Sequence, residues 1–446
     1  MATRAHRVPH QDRYRLEAVP LGRGGFAEVF RATAKSDGHV VALKRARSFG
    51  MAGERLKREI EVQRSLAHPN IMPILDSDPG FTWFTMPVAE GNLDKLRASL
   101  DEEDLASILL HVADALQVAH DEQLIHRDIS PGNILGLQGS GASRYRWVVA
   151  DWGLVHRPPR GSSTPLTKAG VGMGTEGFAA PEIWRDATSA TPAADVYSLG
   201  RVAAWFLTGQ RPSPGEPLLP EGQFQHWRGF IRACTESRKE QRLATMADLK
   251  VRLDIVFALR DEPPATQARK LVDRLLLGSD AHLDALTSLA ADHVDNSALF
   301  IDHLARVPTG RVKSWVADKP QEAAHLAQQM VRHLLHSPWE DRDPRYAGTP
   351  LAFVHSVLQA LINHRRIGLA EDLAEDFFAA EARWQHGAQR IRTIEWMADL
   401  NEEAGTAMAR AFADRPAVIA YYQQPASWAC QSTALGAVLR SPVTGQ

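Results

Sequence analysis

The sequence predicts an α+β fold in which a small β-rich lobe precedes a helical lobe, and an all-α region completes the chain. From Tyr14 to about Phe84, β-prone runs such as "AEVFRATA" dominate, and one helical stretch, "AGERLKREIEVQRSL", interrupts them. Beyond Gly91 apolar residues recur every three to four positions, as in "EEDLASILLHVADALQVAHDE". These changes of periodicity indicate the order of the lobes.

The domain boundaries follow from the breaks in these patterns. Residues 1–13 form a basic tail, expected to be flexible, with charge-mediated docking as the alternative. Residues 14–259 contain both lobes, and "RDEPPATQ" at 260–267 has the acidic residues and paired prolines of a linker. Residues 268–446 carry amphipathic helical segments without a strict repeat, which predicts a helical bundle or an array of helix pairs.

Composition places the chain among ordinary globular proteins. Its 446 residues exceed the usual size of one domain, and 44% are hydrophobic and 23% charged. The net charge of -2 does not indicate a nucleic acid or an anionic membrane as partner. Apolar runs are too short to span a bilayer, and the N-terminus lacks the apolar core of a secretion signal. Because Cys234 and Cys430 show no disulfide or metal-ligand spacing, we expect a cytoplasmic protein.

The N-terminal lobe carries residues suited to holding phosphates. "LGRGGFAEVF" places Gly22, Gly24 and Gly25 between two β-prone runs, where backbone N–H groups can approach phosphate oxygens. Lys44 ends the strand pattern "VVALK", and Glu59 lies on the helix that follows. Taken singly, these residues also fit a glycine-rich turn and two unrelated surface charges.

The run "LIHRDISPGNIL" supplies a carboxylate and an amide on one short loop. Asp128 could orient an attacking hydroxyl, and Asn133 offers an oxygen ligand to a hard divalent cation. "VVADWGLV" follows, a buried β-run ending in Asp151, whose carboxylate could coordinate Mg²⁺ between phosphates.

With "GMGTEGFAAPE" and "DVYSLGRVAAWFLTG" added in the same order, Tyr14 to about Leu259 resembles a eukaryotic-type, or Hanks-type, serine/threonine protein kinase domain of the kind that bacteria encode. The resemblance implies a bilobal kinase fold, ATP with Mg²⁺ (or Mn²⁺) as cofactors, and protein substrates.

The resemblance also implies a role for each matching residue. The catalytic set is Lys44, Asp128, Asn133, Asp151 and Thr175, of which Asn133 and Asp151 would bind Mg²⁺. The nucleotide-binding set is Leu21, Gly22, Gly24, Gly25, Val29, Ala42, Lys44, Glu59, Met86, Pro87, Ala89 and Leu135. Glu182 and Arg242 are similar to the structural ion pair of the family, and Asp195 to the carboxylate that anchors the catalytic loop.

Three positions depart from the pattern of the family. Ala27 replaces the third glycine of the phosphate loop, and Ser130 replaces the lysine that usually neutralises the transferring phosphate. We therefore expect a slower enzyme or another cation in that place, with a nucleotide-binding pseudokinase as the alternative. In "DWG", the Trp152 indole needs a hydrogen-bond acceptor if buried. We hypothesise that Gln63 or a carbonyl near it accepts from Trp152; the alternative is that Gln63 faces solvent and Trp152 bonds elsewhere.

The segment between Asp151 and Glu182 suggests regulation by phosphorylation. Its Pro, Gly, Ser and Thr content predicts mobility, and in this family an arginine such as Arg127 often binds a phosphate there. Candidate sites of autophosphorylation are Thr164, Thr167, Ser162 and Ser163, whereas the "GT" element implies that Thr175 positions a substrate hydroxyl.

Substrate class and the role of the last region rest on fewer observations. "ISPG" lacks the basic signature of tyrosine kinases, and "APE" with "DVYSLG" argues against small-molecule phosphotransferases. The histidines after residue 267 form no convincing metal motif. The helical region could recruit protein substrates, mask the kinase or mediate self-association.

Overall fold

A computed structural model describes residues 9–48, 50–139, 144–155, 174–278, 281–337, 343–413, 415–423 and 430–440. The chain divides into two compact units, residues 1–258 and 259–446, and each is described by itself.

The first lobe of the first unit is an antiparallel sheet covered by one long helix. Its elements are α1 (His10–Arg13), β1 (Tyr14–Arg23), β2 (Ala27–Ala34), β3 (Val40–Ala46), α2 (Met51–Ser65), β4 (Asp76–Ser77) and β5 (Trp83–Met86). The strands lie in the order β1-β2-β3-β5-β4. Leu56 and Ile60, one turn apart on α2, pack against Ala42 and Phe84 of the sheet. This packing sets the distance between α2 and β3.

The second lobe is mostly helical and contains a small second sheet in the order β6-β7-β8. Its elements are β6 (Gly91–Asn92), α3 (Leu93–Leu96), α4 (Glu102–Asp121), β7 (Ile134–Gln138), β8 (Tyr145–Val149), α5 (Pro181–Arg185), α6 (Pro192–Thr208), α7 (Arg228–Thr235) and α8 (Met246–Leu259). Asp101 caps α4 in a capping box with Asp104. Helix α6 is buried from Ala193 to Leu207 and forms the centre of the lobe. The bilobal α+β fold predicted from the sequence is confirmed.

The second unit consists of helices in the described part of the chain. They are α9 (Pro264–Leu276), α10 (Ala281–Asp292), α11 (Thr309–Asp318), α12 (Pro320–His336), α13 (Gly348–Asn363), α14 (Ile367–Trp384), α15 (Gly387–Ala398), α16 (Glu402–Ala411), α17 (Pro416–Tyr422) and α18 (Thr433–Arg440). Helix α9 begins at Pro264, so the non-helical part of the predicted linker is residues 260–263. No helix among the described residues has both the length and the apolar character needed to cross a bilayer.

Alternate helices of the second unit contact one another. Helices α12, α14, α16 and α18 form one row, and α11, α13 and α15 form another. Of the two architectures that the sequence leaves open, this packing is that of an array of helix pairs.

Candidate active site

The buried lysine of β3 contacts two carboxylates. Lys44 Nζ lies 2.6 Å from Glu59 Oε1 and 3.4 Å from Asp151 Oδ1. Although burial alone lowers the pKa of Lys44, the charges of Asp151 and Glu59 outweigh it and raise the pKa well above its ordinary value. A buried ammonium that stays charged and fixed between two carboxylates is suited to orienting phosphates.

The loop that carries Asp128 is held from below by a buried carboxylate on α6. Asp195, fully buried, accepts from the backbone N–H groups of His126 and Arg127, each at 2.9 Å. Its Oδ2 also lies 2.8 Å from His120 Nε2. Arg127 adopts a left-handed backbone conformation with φ of 67°. These contacts give Asp128 a defined position at the surface of the loop.

Asp128 is surrounded by hydrogen-bond donors. Its Oδ1 accepts from both the backbone N–H and the hydroxyl of Thr175, each at 2.8 Å. Asn133 Nδ2 donates to the backbone oxygen of Asp128 at 2.7 Å and to its Oδ2 at 3.1 Å. Burial raises the pKa of Asp128, and the hydroxyl of Thr175 opposes that increase. The neighbouring Gly174 has φ of 89°, and a Cβ there would lie 2.9 Å from Arg127 O, so a side chain would displace Thr175.

Asp151 lies two residues after the end of β8, and its carboxylate contacts Lys44. Its φ is 64°, a left-handed conformation that Asp tolerates better than most residues. The N–H of Ala150 donates to Asn133 O at 3.0 Å, which holds the two segments together. Burial raises the pKa of Asp151, but the Lys44 ammonium outweighs it and keeps the pKa below its ordinary value.

The donor set of Asp151 and Asn133 suits Mg²⁺. Asn133 uses its Nδ2 toward Asp128, so its Oδ1 lies on the other side of the amide and is free to act as a ligand. The described residues contain no cluster of three or more His, Cys, Asp or Glu side chains able to hold a metal. One carboxylate and one amide oxygen are sufficient for Mg²⁺ when substrate phosphates supply further ligands.

Five residues assigned to the adenine site lie in or against one apolar cluster: Val29, Ala42, Met86, Ala89 and Leu135. Leu21, which the sequence also assigns to this site, is 44% exposed and does not belong to the cluster. Pro87 follows Met86 directly at the end of β5.

The phosphate-loop glycines face open space. A Cβ at Gly22 or Gly25 would meet no atom within 4 Å, and the Gly24 N–H donates to Ala27 O at 2.9 Å. This bond joins the two ends of the loop, and Gly22 and Gly25 leave room around its backbone.

Comparison with known proteins agrees with this geometry. The family model described as the protein kinase domain matches residues 16–278. The chain belongs to the protein kinase family. It is 32% identical over 222 residues to the probable serine/threonine-protein kinase PknB of Corynebacterium glutamicum, covering 46% of this chain and 33% of the relative. It is 34% identical over 219 residues to the DNA damage-responsive kinase RqkA of Deinococcus radiodurans, covering 46% and 31%.

A third relative is the kinase PknK of Mycobacterium bovis, 35% identical over 224 residues, which cover 47% of this chain and 19% of the relative. The chain thus spans a third or less of the length of these relatives. The predicted resemblance to a bacterial-like Hanks-type serine/threonine kinase is confirmed.

The structural ion pair of this kinase joins α5 to the segment before α8. Arg242 NH1 and NH2 lie 2.7 and 3.1 Å from the two carboxylate oxygens of Glu182. Arg242 is buried and also donates to Ala193 O at 2.9 Å. The bidentate contact holds the "APE" segment against the second lobe.

Trp152 does not donate to the Gln63 side chain, so that form of the hypothesis is wrong; the alternative is correct that Trp152 bonds elsewhere but wrong that Gln63 faces solvent. Trp152 is buried, but its Nε1 donates to Val149 O at 3.3 Å, because the last carbonyl of β8 lies only three residues earlier. Gln63 is also buried rather than facing solvent, and its Nε2 donates to Met72 O. The glutamine therefore ties α2 to the segment before β4, and the tryptophan bonds within its own loop.

Sequence analysis missed a cation whose charge interacts with those of the catalytic carboxylates. Arg55 lies one helical turn before Glu59 on α2 and is half-buried. Its guanidinium stacks on the ring of Phe26 in the phosphate loop, 4.0 Å from the ring centroid. Burial lowers the pKa of Arg55, while Asp151 and Asp128 raise it, which places it within electrostatic range of both. The spacing of four residues from Glu59 was the signal that could have identified it.

The phosphorylation candidates Thr164, Thr167, Ser162 and Ser163 lie outside the described residues. Arg127, expected to bind a phosphate there, donates to the carbonyls of Leu154 and Ala187, both at 2.8 Å. Burial lowers its pKa to about 10.

Proposed function

We propose that the chain is an active serine/threonine protein kinase that transfers the ATP γ-phosphate to protein hydroxyls. The observation that carries this proposal is the contact of Lys44 with both Glu59, at 2.6 Å, and Asp151, at 3.4 Å. A lysine held between these residues is the arrangement that a catalytically competent kinase requires. Pseudokinase function would not require Asp128, Asn133 and Thr175 to be hydrogen-bonded into one cluster as well.

The proposed roles follow from the positions of the side chains. Lys44 would orient the α- and β-phosphates, and the apolar cluster around Ala42 and Leu135 would enclose the adenine. Asn133 and Asp151 would hold Mg²⁺, which neutralises phosphate charge when bound. Asp128, with one oxygen fixed by Thr175, would orient the hydroxyl of the substrate serine or threonine.

We further propose that Arg55 offsets the charge lost at Ser130. Ser130 is buried and brings no cation to the catalytic loop, whereas the Arg55 guanidinium stacks on Phe26 and the charges of Asp151 and Asp128 raise its pKa against the effect of burial. A fixed positive charge near the transferring phosphate lowers the energy of its transition state.

The region after the kinase domain, assigned to residues 268–446, is proposed to bind a protein partner or a second copy. The array of helix pairs favours this role, because such arrays present extended surfaces to other proteins. Comparing residues 1–262 with the whole chain distinguishes masking, in which the fragment is more active, from recruitment, in which only phosphorylation of the true substrate falls.

A phosphotransfer assay tests the function directly. The full chain with Mg²⁺ and γ-labelled ATP should label a generic protein on serine and threonine, and Asp151→Asn should abolish the labelling. Mass spectrometry of wild type and Asp128→Asn then identifies autophosphorylation sites. Nucleotide binding by the wild type without any transfer would instead support the pseudokinase alternative.

A further inference from the structure

The first lobe contains a cavity of about 420 Å³ between the end of β3, the first turns of α2 and the turn before β5, with Pro9 and His10 completing its wall. Its volume lies in the range of sites for small molecules. The described residues that line it include none of those assigned to the nucleotide site. The proposed phosphotransfer therefore leaves this cavity without a role.

Cationic side chains from two elements and a loop converge on the cavity. Arg45 belongs to β3, Arg47 follows this strand, and Lys57 lies on α2, whereas Glu54 is the one carboxylate among the described lining residues. Burial and the charge of Arg45 both lower the pKa of His10, so its imidazole is neutral at pH 7. Three positive side chains and one negative side chain give the lining a net charge of +2.

Carboxylates outside the cavity offset this charge only in part. Glu28 is shared between two arginines, since its Oε2 lies 3.3 Å from Arg45 NH2 and its Oε1 lies 3.5 Å from Arg23 Nε. Lys57 Nζ lies 3.9 Å from Glu61 Oε1, and both side chains are about half exposed. An exposed pair at this distance contributes little stabilisation. The like charges that face the cavity therefore favour an anion inside it.

The three cations are accessible to a ligand and are held in place by their neighbours. The side chains of Arg45 and Lys57 keep 36% and 44% of their area exposed, and Arg47 is exposed as well. The Arg45 guanidinium lies 4.6 Å from the ring centroid of Phe30, and Lys57 Nζ lies 5.5 Å from that of Phe81. Because two of the donors are ordered by aromatic rings, a ligand that uses them loses less conformational entropy on binding.

The chemistry of these donors favours a phosphate group. Arg47 NH1 donates to a neutral acceptor, Gly24 O, at 3.3 Å, so this contact does not offset its charge. Guanidinium and ammonium groups are the side chains that bind phosphate oxygens. A phosphate monoester carries a charge of about −1.5 to −2 at pH 7, which matches the net charge of +2 on the lining. Phe81 is half-buried and offers apolar surface to the organic part of an ester.

We propose that this cavity binds a small phosphate monoester. Arg45, Arg47 and Lys57 donate to the phosphate oxygens, and Phe81 packs against the organic group. A phosphorylated side chain of this chain carries the same chemistry, but residues 156–173, which contain the phosphorylation candidates, have three Lys and Arg residues and no acidic residue. The cationic lining repels such a segment, so a free small molecule is the better match.

Calorimetric titration of the full-length protein with phenyl phosphate tests the proposal. Phenyl phosphate should bind with a Kd below about 1 mM at low ionic strength. Phenyl sulfate has the same shape and a single negative charge, so it should bind about fivefold or more weakly. A peptide of residues 156–173 phosphorylated on Thr167 should also bind more weakly than phenyl phosphate. Tighter binding of this peptide would overturn the assignment to a free small molecule.

Variants locate the site. The double variant Arg47→Gln/Lys57→Gln should weaken binding of phenyl phosphate about tenfold or more. Arg55→Gln is the matched control, because Arg55 lies on the same helix as Lys57 but does not line the cavity, and it should change binding less than about twofold. Circular dichroism checks that the double variant is folded, and the comparison with phenyl sulfate tests the wild type whatever that outcome.

Four results would overturn the proposal. They are no binding of phenyl phosphate at 1 mM, equal affinity for phenyl sulfate, unaltered binding by the folded double variant, and loss of binding in Arg55→Gln. The last result would place the ligand in the catalytic cleft instead of this cavity.

Discussion

Removing the hydroxyl of Thr175 while keeping its volume tests how Asp128 is positioned. In wild type Asp128 Oδ1 accepts two hydrogen bonds from Thr175, one from the hydroxyl and one from the backbone N–H, each at 2.8 Å. Thr175→Val removes only the first. A hydrogen bond to a charged group contributes about 1.5–3 kcal/mol, so kcat should fall between about 10- and 150-fold.

The same variant should move the acid limb of the pH profile. Burial raises the pKa of Asp128, and the Thr175 hydroxyl opposes that rise. Without the hydroxyl the pKa of Asp128 rises further, so a smaller fraction is ionised at a given pH. The loss of activity in Thr175→Val should therefore be largest at low pH, and the acid limb of kcat/KM should shift upward.

The assay is steady-state phosphorylation of a generic protein from pH 5.5 to 9, with Thr175→Ser as the matched control. Serine keeps the hydroxyl, so its kcat should stay within about threefold of wild type. If serine and valine are equally impaired, or if valine leaves the acid limb unmoved, the hydrogen bond to Asp128 is not the cause and the reasoning fails.

Three further substitutions test the electrostatics and the packing. Arg55→Gln should lower kcat about tenfold and leave ATP binding little changed. Adding Ser130→Lys to this variant should restore most of the lost activity. If the lysine does not restore activity, the charge argument is wrong. Gln63→Leu loses one hydrogen bond but also removes a buried oxygen that has no partner among the described residues. Because these effects oppose each other, the free energy of unfolding measured by chemical denaturation should change by no more than about 1 kcal/mol. Hydrogen exchange at the Trp152 indole should be unaltered, since its acceptor is Val149 O. Burial raises the pKa of Glu381 from 4.5 to about 7, so protonation stabilises the fold fully below pH 4.5 and this contribution is lost as pH rises through 7. The stability of wild type relative to Glu381→Gln should therefore fall by about 3 kcal/mol between pH 4.5 and 8, and a pH-independent difference would refute the assignment.

Much of the kinase domain could be predicted because its signals are local. Lys44 ends a strand pattern, Asp128 and Asn133 share one loop, and Asp151 follows a buried β-run, so order and spacing alone indicated the family. The long helix through Glu59 was likewise visible from its period.

Contacts between distant segments could not be predicted in the same way. Sequence analysis left open whether Trp152 donates to Gln63, to a carbonyl near Gln63 or elsewhere, and the structure supplies Val149 O at the end of β8. It also looked for the missing cation near Ser130, whereas Arg55 comes from another lobe and is placed by its contact with Phe26. Which hydrogen-bond or charge partner a side chain finds depends on distances of a few ångströms between elements. The type of a single residue does not determine these distances.

The amino-acid sequence by itself determined the family, the order of the catalytic groups and the succession of a β-rich lobe, a helical lobe and further helices. Only the tertiary structure decided which buried polar groups satisfy one another and that the last helices form two rows. The physical reason is that periodicity and turn chemistry act over a few neighbouring residues, whereas hydrogen-bond partners and cavities arise where segments far apart in the chain pack together.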